Sequence, residues 1–217
     1  MRPSTAGALG VWAFVERNYR ATRRYWGWEV AWLTYSIVTV LAVTYIAPGT
    51  QELTGSPAAD VKLLTVYLLI GTLVWAFLAD VFDFTAFMVS WERWEGTIEY
   101  TFMAPIRLAA MLVGSSVFSV LYAALRTVVV FGISLLFFDL DLDGANFVTA
   151  VVFMAVGSIG FLGVGIMAAT LPLMYVERGS QMTVIVSATM LLVSGIYYPI
   201  TVLPDWLRHS SCGVQDM

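Results

Sequence analysis

The chain has almost no cysteine or histidine: Cys212 and His209 are the single examples in 217 residues. A disulfide within the chain is therefore excluded, and a Cys/His zinc site has no ligand set. Charge is scarce as well. Asp, Glu, Lys and Arg make up 12% of the residues, against about 25% in an ordinary soluble domain. No Gly-x4-Gly-Lys-Ser/Thr pattern occurs, so the chain carries no phosphate-cradling loop of that type and is not expected to hydrolyse ATP itself. Nor does the N-terminus read as a secretory signal. Its Arg residues at 17, 20, 23 and 24 follow an aromatic stretch, and no short apolar core with a cleavage site comes after them.

Apolar residues fill the space, at 59% of the chain with 14% aromatic. The charges cluster and leave runs long enough to cross a bilayer, which takes about 20 residues as a helix. Five spans are predicted: Trp28–Ala47, Leu63–Phe82, Ala109–Phe138, Phe147–Leu171 and Met182–Leu203. The third is too long to stand upright in the hydrocarbon. Polar connections separate them, namely PGTQELTGSPAAD, a charged stretch around Glu95, DLDLDGAN and PLMYVERGSQ. The fold class is thus all-α: a polytopic membrane protein, one domain over residues 1–208 with a polar tail, 209–217. A net charge of −4 says little, because position outweighs sum in such a chain. With the N-terminus in the cytoplasm, that side holds Arg2, Arg17, Arg20, Arg23, Arg24, Arg93, Arg107 and Arg178, and the other side holds Lys62 and Arg208. Eight against two is a positive-inside bias.

Ahead of the first span, Gly7–Trp28 has the pattern of an amphipathic helix. Ala8, Val11, Trp12, Val15, Tyr19 and Trp26 fall on one side, with Arg17, Arg20 and Arg24 opposite. Such a helix lies in the headgroup layer with its Arg residues toward anionic lipid; a juxtamembrane charge signal without fixed structure is the plainer alternative. Trp26, Trp28, Trp32 and Trp206 fit interfacial belts and imply no cofactor.

The stretch SWERWEGTIEYTFMAPIRL, Ser90–Leu108, is the densest charged patch. Taken as a helix, it sets Trp91, Trp94, Ile98 and Phe102 in an apolar stripe and Glu92, Glu95 and Glu99 in an acidic one. Gly96 weakens the middle, by about 1 kcal/mol relative to Ala, and Pro105 ends the helix or opens a new segment. The pattern supports two readings. One is a docking face whose carboxylates point into the cytoplasm; the other is a solvated helix whose Glu residues pair locally with Arg93 and Arg107.

Four further features invite a functional reading. Arg126 lies inside the third span, where an Arg costs roughly 2.5–3.5 kcal/mol on insertion scales, so it faces protein or water. It lines a translocation path, pairs across a dimer, makes a structural pair with an acid, or snorkels if the span is shifted. Asp80 and Asp83 sit one turn apart at the predicted end of the second span, where a solvated helix end competes with acid–base chemistry. Gly157, Gly160, Gly163 and Gly165 lie in an apolar run, and with Ser115, Ser119 and Ala123 they read as small residues for close helix packing. Ser194–Gly195 and Pro199 should break the fifth helix near its outer end.

The order Glu92-Arg93-x-Glu95-Gly96-Thr97-Ile98-Glu99, followed by Ala104-Pro105-Ile106, resembles a signature of the permease subunits of ATP-binding-cassette type-2 exporters. Ile98 stands where that family usually has Leu. A second stretch, SGIYYPITVLPDWLR, is similar to the family's segment at the outer end of its fifth span. The resemblance covers nearly the whole chain to Arg208, and the N-terminal amphipathic helix matches the family's connecting helix. It implies that Trp91, Glu92, Arg93, Glu95, Gly96, Thr97 and Glu99 belong to a coupling helix against a separate cytoplasmic ATPase, which would hold ATP and Mg. It further implies two permeases per assembly, as a homodimer or pseudo-dimer, in a bacterial plasma membrane. Nucleic acid has no place in it. An outer gate would include Ser194, Gly195, Tyr198 and Pro199. A non-transporting membrane scaffold shares the composition and topology. The departure from the family is its usual sixth span: HSSCGVQDM is polar and too short to cross, so five spans and an outward tail are expected.

Overall fold

The structure is a computed structural model that describes residues 3–54, 57–103, 108–138, 146–175 and 178–194. Every regular element among them is a helix: α1 Pro3–Arg24, α2 Trp26–Thr44, α3 Ile46–Thr54, α4 Ala58–Trp94, α5 Ile98–Met103, α6 Leu108–Phe137, α7 Phe147–Ala168, α8 Leu171–Met174 and α9 Gly179–Ser194. Among the described residues, four helices are long and apolar enough to cross a membrane, within Trp26–Thr50, Val61–Trp94, Ala109–Phe137 and Val148–Ala168; Gly179–Ser194 is a shorter apolar helix. The fifth predicted span therefore continues beyond the described residues.

Two predicted boundaries are corrected. The helix that carries the second span does not end near Phe82. It has 37 residues, about 55 Å at 1.5 Å per residue, well beyond a hydrocarbon core of about 30 Å. No Gly or Pro interrupts it between Gly71 and Gly96, so the backbone ladder runs straight through Asp80, Asp83, Glu92 and Arg93. The start of the PGTQELTGSPAAD connection is likewise helical, in α3. Pro48 is tolerated there because the first turn of a helix needs no donor from it.

The long helix α4 is the hub, packing against α2, α3, α6, α7, α8 and α9. Three apolar clusters follow it along its length. Leu69 and Leu73 meet Val40 of α2 and Val130 of α6; Phe77, Leu78 and Val81 meet Ala123 of α6; Phe82 and Ala86 meet Ala168 of α7. Lipid tails are as apolar as these side chains, so close packing and hydrogen bonds hold the helices together rather than expulsion from water. Small residues make that packing possible. Ala123 and Ser119 are fully buried on α6, and the Ser119 and Thr85 hydroxyls lie 3.3 Å apart across α6 and α4. Several buried hydroxyls are satisfied within their own helices, Thr72 donating to the Leu68 carbonyl at 2.6 Å and Thr85 to that of Val81 at 2.8 Å. On α7 the glycines divide. A Cβ on Gly157 or Gly165 would meet Leu78, or Thr85 and the Phe82 carbonyl, at 3.0–3.3 Å, whereas Gly160 and Gly163 have no neighbour within 4 Å. The packing role assigned to all four holds for the two that face α4.

The N-terminal helix forms over Pro3–Arg24, and a side that the amphipathic pattern did not single out packs on α6. Phe14 is buried, Asn18 donates to the Ser115 hydroxyl at 3.2 Å, and a Cβ on Gly114 would lie 2.7 Å from both Phe14 Cβ and the Val11 carbonyl oxygen. That side packs on α6, while Leu9, Trp12 and Tyr19 remain exposed, as befits side chains resting in a headgroup layer. Glycine at 114 is what lets the two backbones meet. Replacing Gly114 with Ala should lower stability in detergent by about 1–3 kcal/mol through overpacking. Gly160→Ala, at an open position, should change it by no more than about 0.5 kcal/mol. Thermal unfolding of the two variants side by side checks this.

Candidate functional site

The patch around Glu95 folds as a corner between α4 and α5. Gly96 has φ +69°, a left-handed conformation that glycine adopts without a Cβ penalty. The Thr97 amide donates to the Glu92 carbonyl at 3.0 Å and the Gly96 amide to that of Arg93 at 3.1 Å. These two bonds make a Schellman cap, which satisfies carbonyls left free where α4 stops. The motif Glu-Arg-x-x-Gly-Thr is thus the sequence of a helix C-terminus. Immediately beyond it, the Thr101 amide donates to the Thr97 carbonyl at 3.0 Å, starting α5.

The corner splits the predicted acidic stripe. Glu95 and Glu99 are exposed, but Glu92 is 3% exposed and does not point into solvent. Its position explains this, because Glu92 falls three residues after Val89 and seven after Thr85, on the buried side of α4. Its carboxylate accepts a short hydrogen bond from the Arg17 guanidinium of α1. Arg17 accordingly leaves the lipid-facing set in which the pattern placed it, whereas Arg20 pairs along its own helix with Glu16 at 2.5 Å. Arg93 does not pair with a neighbouring Glu either. It donates to the Pro172 carbonyl of α8 at 2.7 Å. Tyr25 sits edge-on to Trp91 with ring centroids 5.6 Å apart, and its hydroxyl donates to Glu95 at 3.3 Å. Trp91 stacks on Trp94 at 6.4 Å. The Phe102 side chain, Pro105 and Arg107 lie outside the described residues.

Deeper in the membrane region, α2, α4 and α6 share a polar brace. Arg126 of α6 donates to Asp80 at 2.9 Å, to the Trp32 carbonyl at 2.6 Å and to the Ser36 hydroxyl at 2.5 Å. Its side chain is 10% exposed and that of Asp80 18%. One helical turn earlier on α6, the Tyr122 hydroxyl donates to Glu29 of α2 in a short hydrogen bond. Among the alternatives open for Arg126, the structural pair with an acid is what forms. Asp80 is not a solvated helix end, since α4 runs on for 14 residues to Trp94. Asp83 has no ion pair or hydrogen bond among the described residues, and no group of three potential metal ligands occurs among them.

Of the residues assigned to an outer gate, Ser194 is the last described residue of α9, with its hydroxyl donating to the Leu191 carbonyl at 2.9 Å. It borders an apolar groove of about 490 Å³ lined by Phe161 of α7 and by Ile185, Val186, Thr189, Met190 and Val193 of α9. Gly195, Tyr198 and Pro199 lie outside the described residues. The groove and the Arg126 brace use different helices, so the structure does not gather the two into one site. Sequence reading missed Glu29, Tyr122, Tyr25 and the turn of Arg17 toward Glu92. The available signal was a lone carboxylate in an apolar span, which demands a partner, and a Tyr one turn from an intramembrane Arg.

This is an all-helical, multi-pass membrane protein with one long central helix that ends in a capped corner. The family model for ABC-2 type transporters matches residues 10–211, and the chain belongs to that family, as a membrane-spanning permease subunit of an ABC transporter. A comparison with curated proteins gives no match.

The brace makes a stability prediction. Arg126→Met strands a buried carboxylate and should cost about 3–5 kcal/mol. The double variant Arg126→Met/Asp80→Asn removes both charges and should recover more than half of that loss. A thermal-shift double-mutant cycle measures the difference.

Proposed function

We propose that this subunit exports a hydrophobic or amphipathic substrate such as a drug, lipid or glycan, driven by ATP that a separate ATPase hydrolyses. The subunit sits in a bacterial plasma membrane with its N-terminus in the cytoplasm, as the arginine distribution favours. ATP and Mg stay on the partner, and two permeases, identical or related, pair with two ATPases. The observation that carries this reading is the outside of the α4–α5 corner. There Glu95 and Glu99 stand exposed beside Trp94, Tyr100 and Met103, which are 82%, 77% and 82% exposed. Carboxylates that do not pair with Arg93, next to large apolar side chains with nothing over them, have the make-up of a protein-binding surface with a basic partner.

In this mechanism, closure of the ATPase pair pushes the corner, the spans tilt, and a path opens outward past Gly195–Pro199. Arg126 and Asp80 act as a structural tie in that motion, not as groups on the substrate route. Reversing the charge at Glu95 and Glu99 together should lower ATPase co-purification by at least about tenfold, equivalent to ~1.4 kcal/mol. Undiminished recovery of the ATPase with this variant would place the docking surface elsewhere.

A further inference from the structure

We infer that Glu92 and Arg93 form a fork that passes movement of the corner inward, to α1 by one prong and to α8–α9 by the other, without themselves touching the ATPase. This rests on the corner being where the ATPase acts. Neighbouring residues on a helix diverge by about 100°, so an adjacent pair cannot serve one surface. Here each member reaches a different element. Glu92 takes Arg17 of α1, and Arg93 takes the Pro172 carbonyl of α8.

Each prong leads to a contact that cannot be compressed. On the first, Glu92 has a side chain 4% exposed, and its second oxygen has no partner among the described residues. A carboxylate this buried must keep its cation, so Arg17 must follow it when α4 shifts. Three residues before Arg17, Phe14 lies against Gly114 of α6 with no room for a methyl group. Movement of Arg17 is therefore delivered to α6. On the second prong, Pro172 is wedged against the first residue of α9. A Cβ on Gly179 would lie 2.5 Å from Pro172 Cα and 2.6 Å from the Leu171 carbonyl oxygen. A pull on Pro172 thus turns the base of α9. That helix is fastened at its base by buried Gly179 and Thr183, and farther up it borders the open apolar groove. Fastened at its base and bordered on one side by the open groove, α9 is a lever, and Ser194 is its last described residue. Glu92 and Arg93 are positioning residues in this scheme.

The test uses the complex with its co-purifying ATPase, with Cys212 replaced by Ser and spin labels on exposed sites. One label pair joins Leu63 to Ile185 and reports on α9; another joins Leu63 to Trp12 and reports on α1. Both distances should change when ATP is bound to the parent complex. Arg93→Met should remove the change at Ile185 and keep that at Trp12, while Arg93→Lys, which retains a charged donor, should restore most of it. Glu92→Gln should do the converse, and the exchange Arg17→Glu/Glu92→Arg should bring back the Trp12 response. ATPase co-purification should stay within about twofold of the parent throughout. Loss of the ATPase in the Glu92 or Arg93 variants would overturn the fork and return those residues to the docking surface. Unaltered distance changes in them, or none in the parent, would overturn it as well. The docking reading fails separately, on the Glu95/Glu99 variant, and that failure leaves the distance responses to be judged alone.

Discussion

A carboxylate withdrawn from water has to keep its cation. The tie between Glu92 and Arg17 is where that constraint bears hardest on this molecule. Glu92 lies at the end of a helix of 37 residues, on the side that packs against neighbours, and its charge is met by a helix that precedes it by 75 positions in sequence. The N-terminal helix is thereby fixed to the end of α4, and Gly114 lets it lie flat on α6. The same tie determines which carboxylates of the charged corner are left facing outward. With Glu92 withdrawn, Glu95 and Glu99 form the exposed remainder.

The tie has a counterpart deeper in the membrane region, where Arg126 reaches Asp80, the Trp32 carbonyl and Ser36. Together with Tyr122 and Glu29, it binds α2, α4 and α6 through polar contacts that hydrocarbon cannot replace. The other side of α4 is held differently. Its contact with α7 is apolar and depends on small residues, Gly157 and Gly165, and α9 meets it through partly buried Val186 and Met190. One set of helices is pinned by charge, while α7 and α9 meet α4 largely by fit, with the Arg93 bond to α8 beside them.

Much of this was legible in the sequence, for reasons that individual residues make plain. The spans were visible because hydrocarbon admits few charges, and the helix over Leu108–Phe137 follows its apolar run closely. The break at Gly96 was readable from glycine's cost in a helix. The end of the helix carrying the second span was misplaced because Asp80, Asp83, Glu92 and Arg93 look like a boundary when partners are unseen. Tertiary pairs with Arg126, Arg17 and Pro172 keep three of the four inside a continuous helix. Periodicity laid the apolar side of α1, with Trp12 and Tyr19, in the headgroup layer, and those side chains are exposed. The contact of Phe14 and Asn18 with α6 was not foreseen, because backbone proximity at Gly114 and the charge on Glu92 set it. Pattern records which side is greasy, and in a membrane the greasy side can face lipid as readily as protein.

The central claim is that force from a second polypeptide enters through the α4–α5 corner on the cytoplasmic side. Its most direct test is a single cysteine at Tyr100, in a chain with Cys212 replaced by Ser, probed with a membrane-impermeant maleimide. The account predicts labelling in inside-out vesicles, none in intact cells, and protection when the ATPase is bound. Labelling of intact cells at that position would put the corner outside and contradict the account.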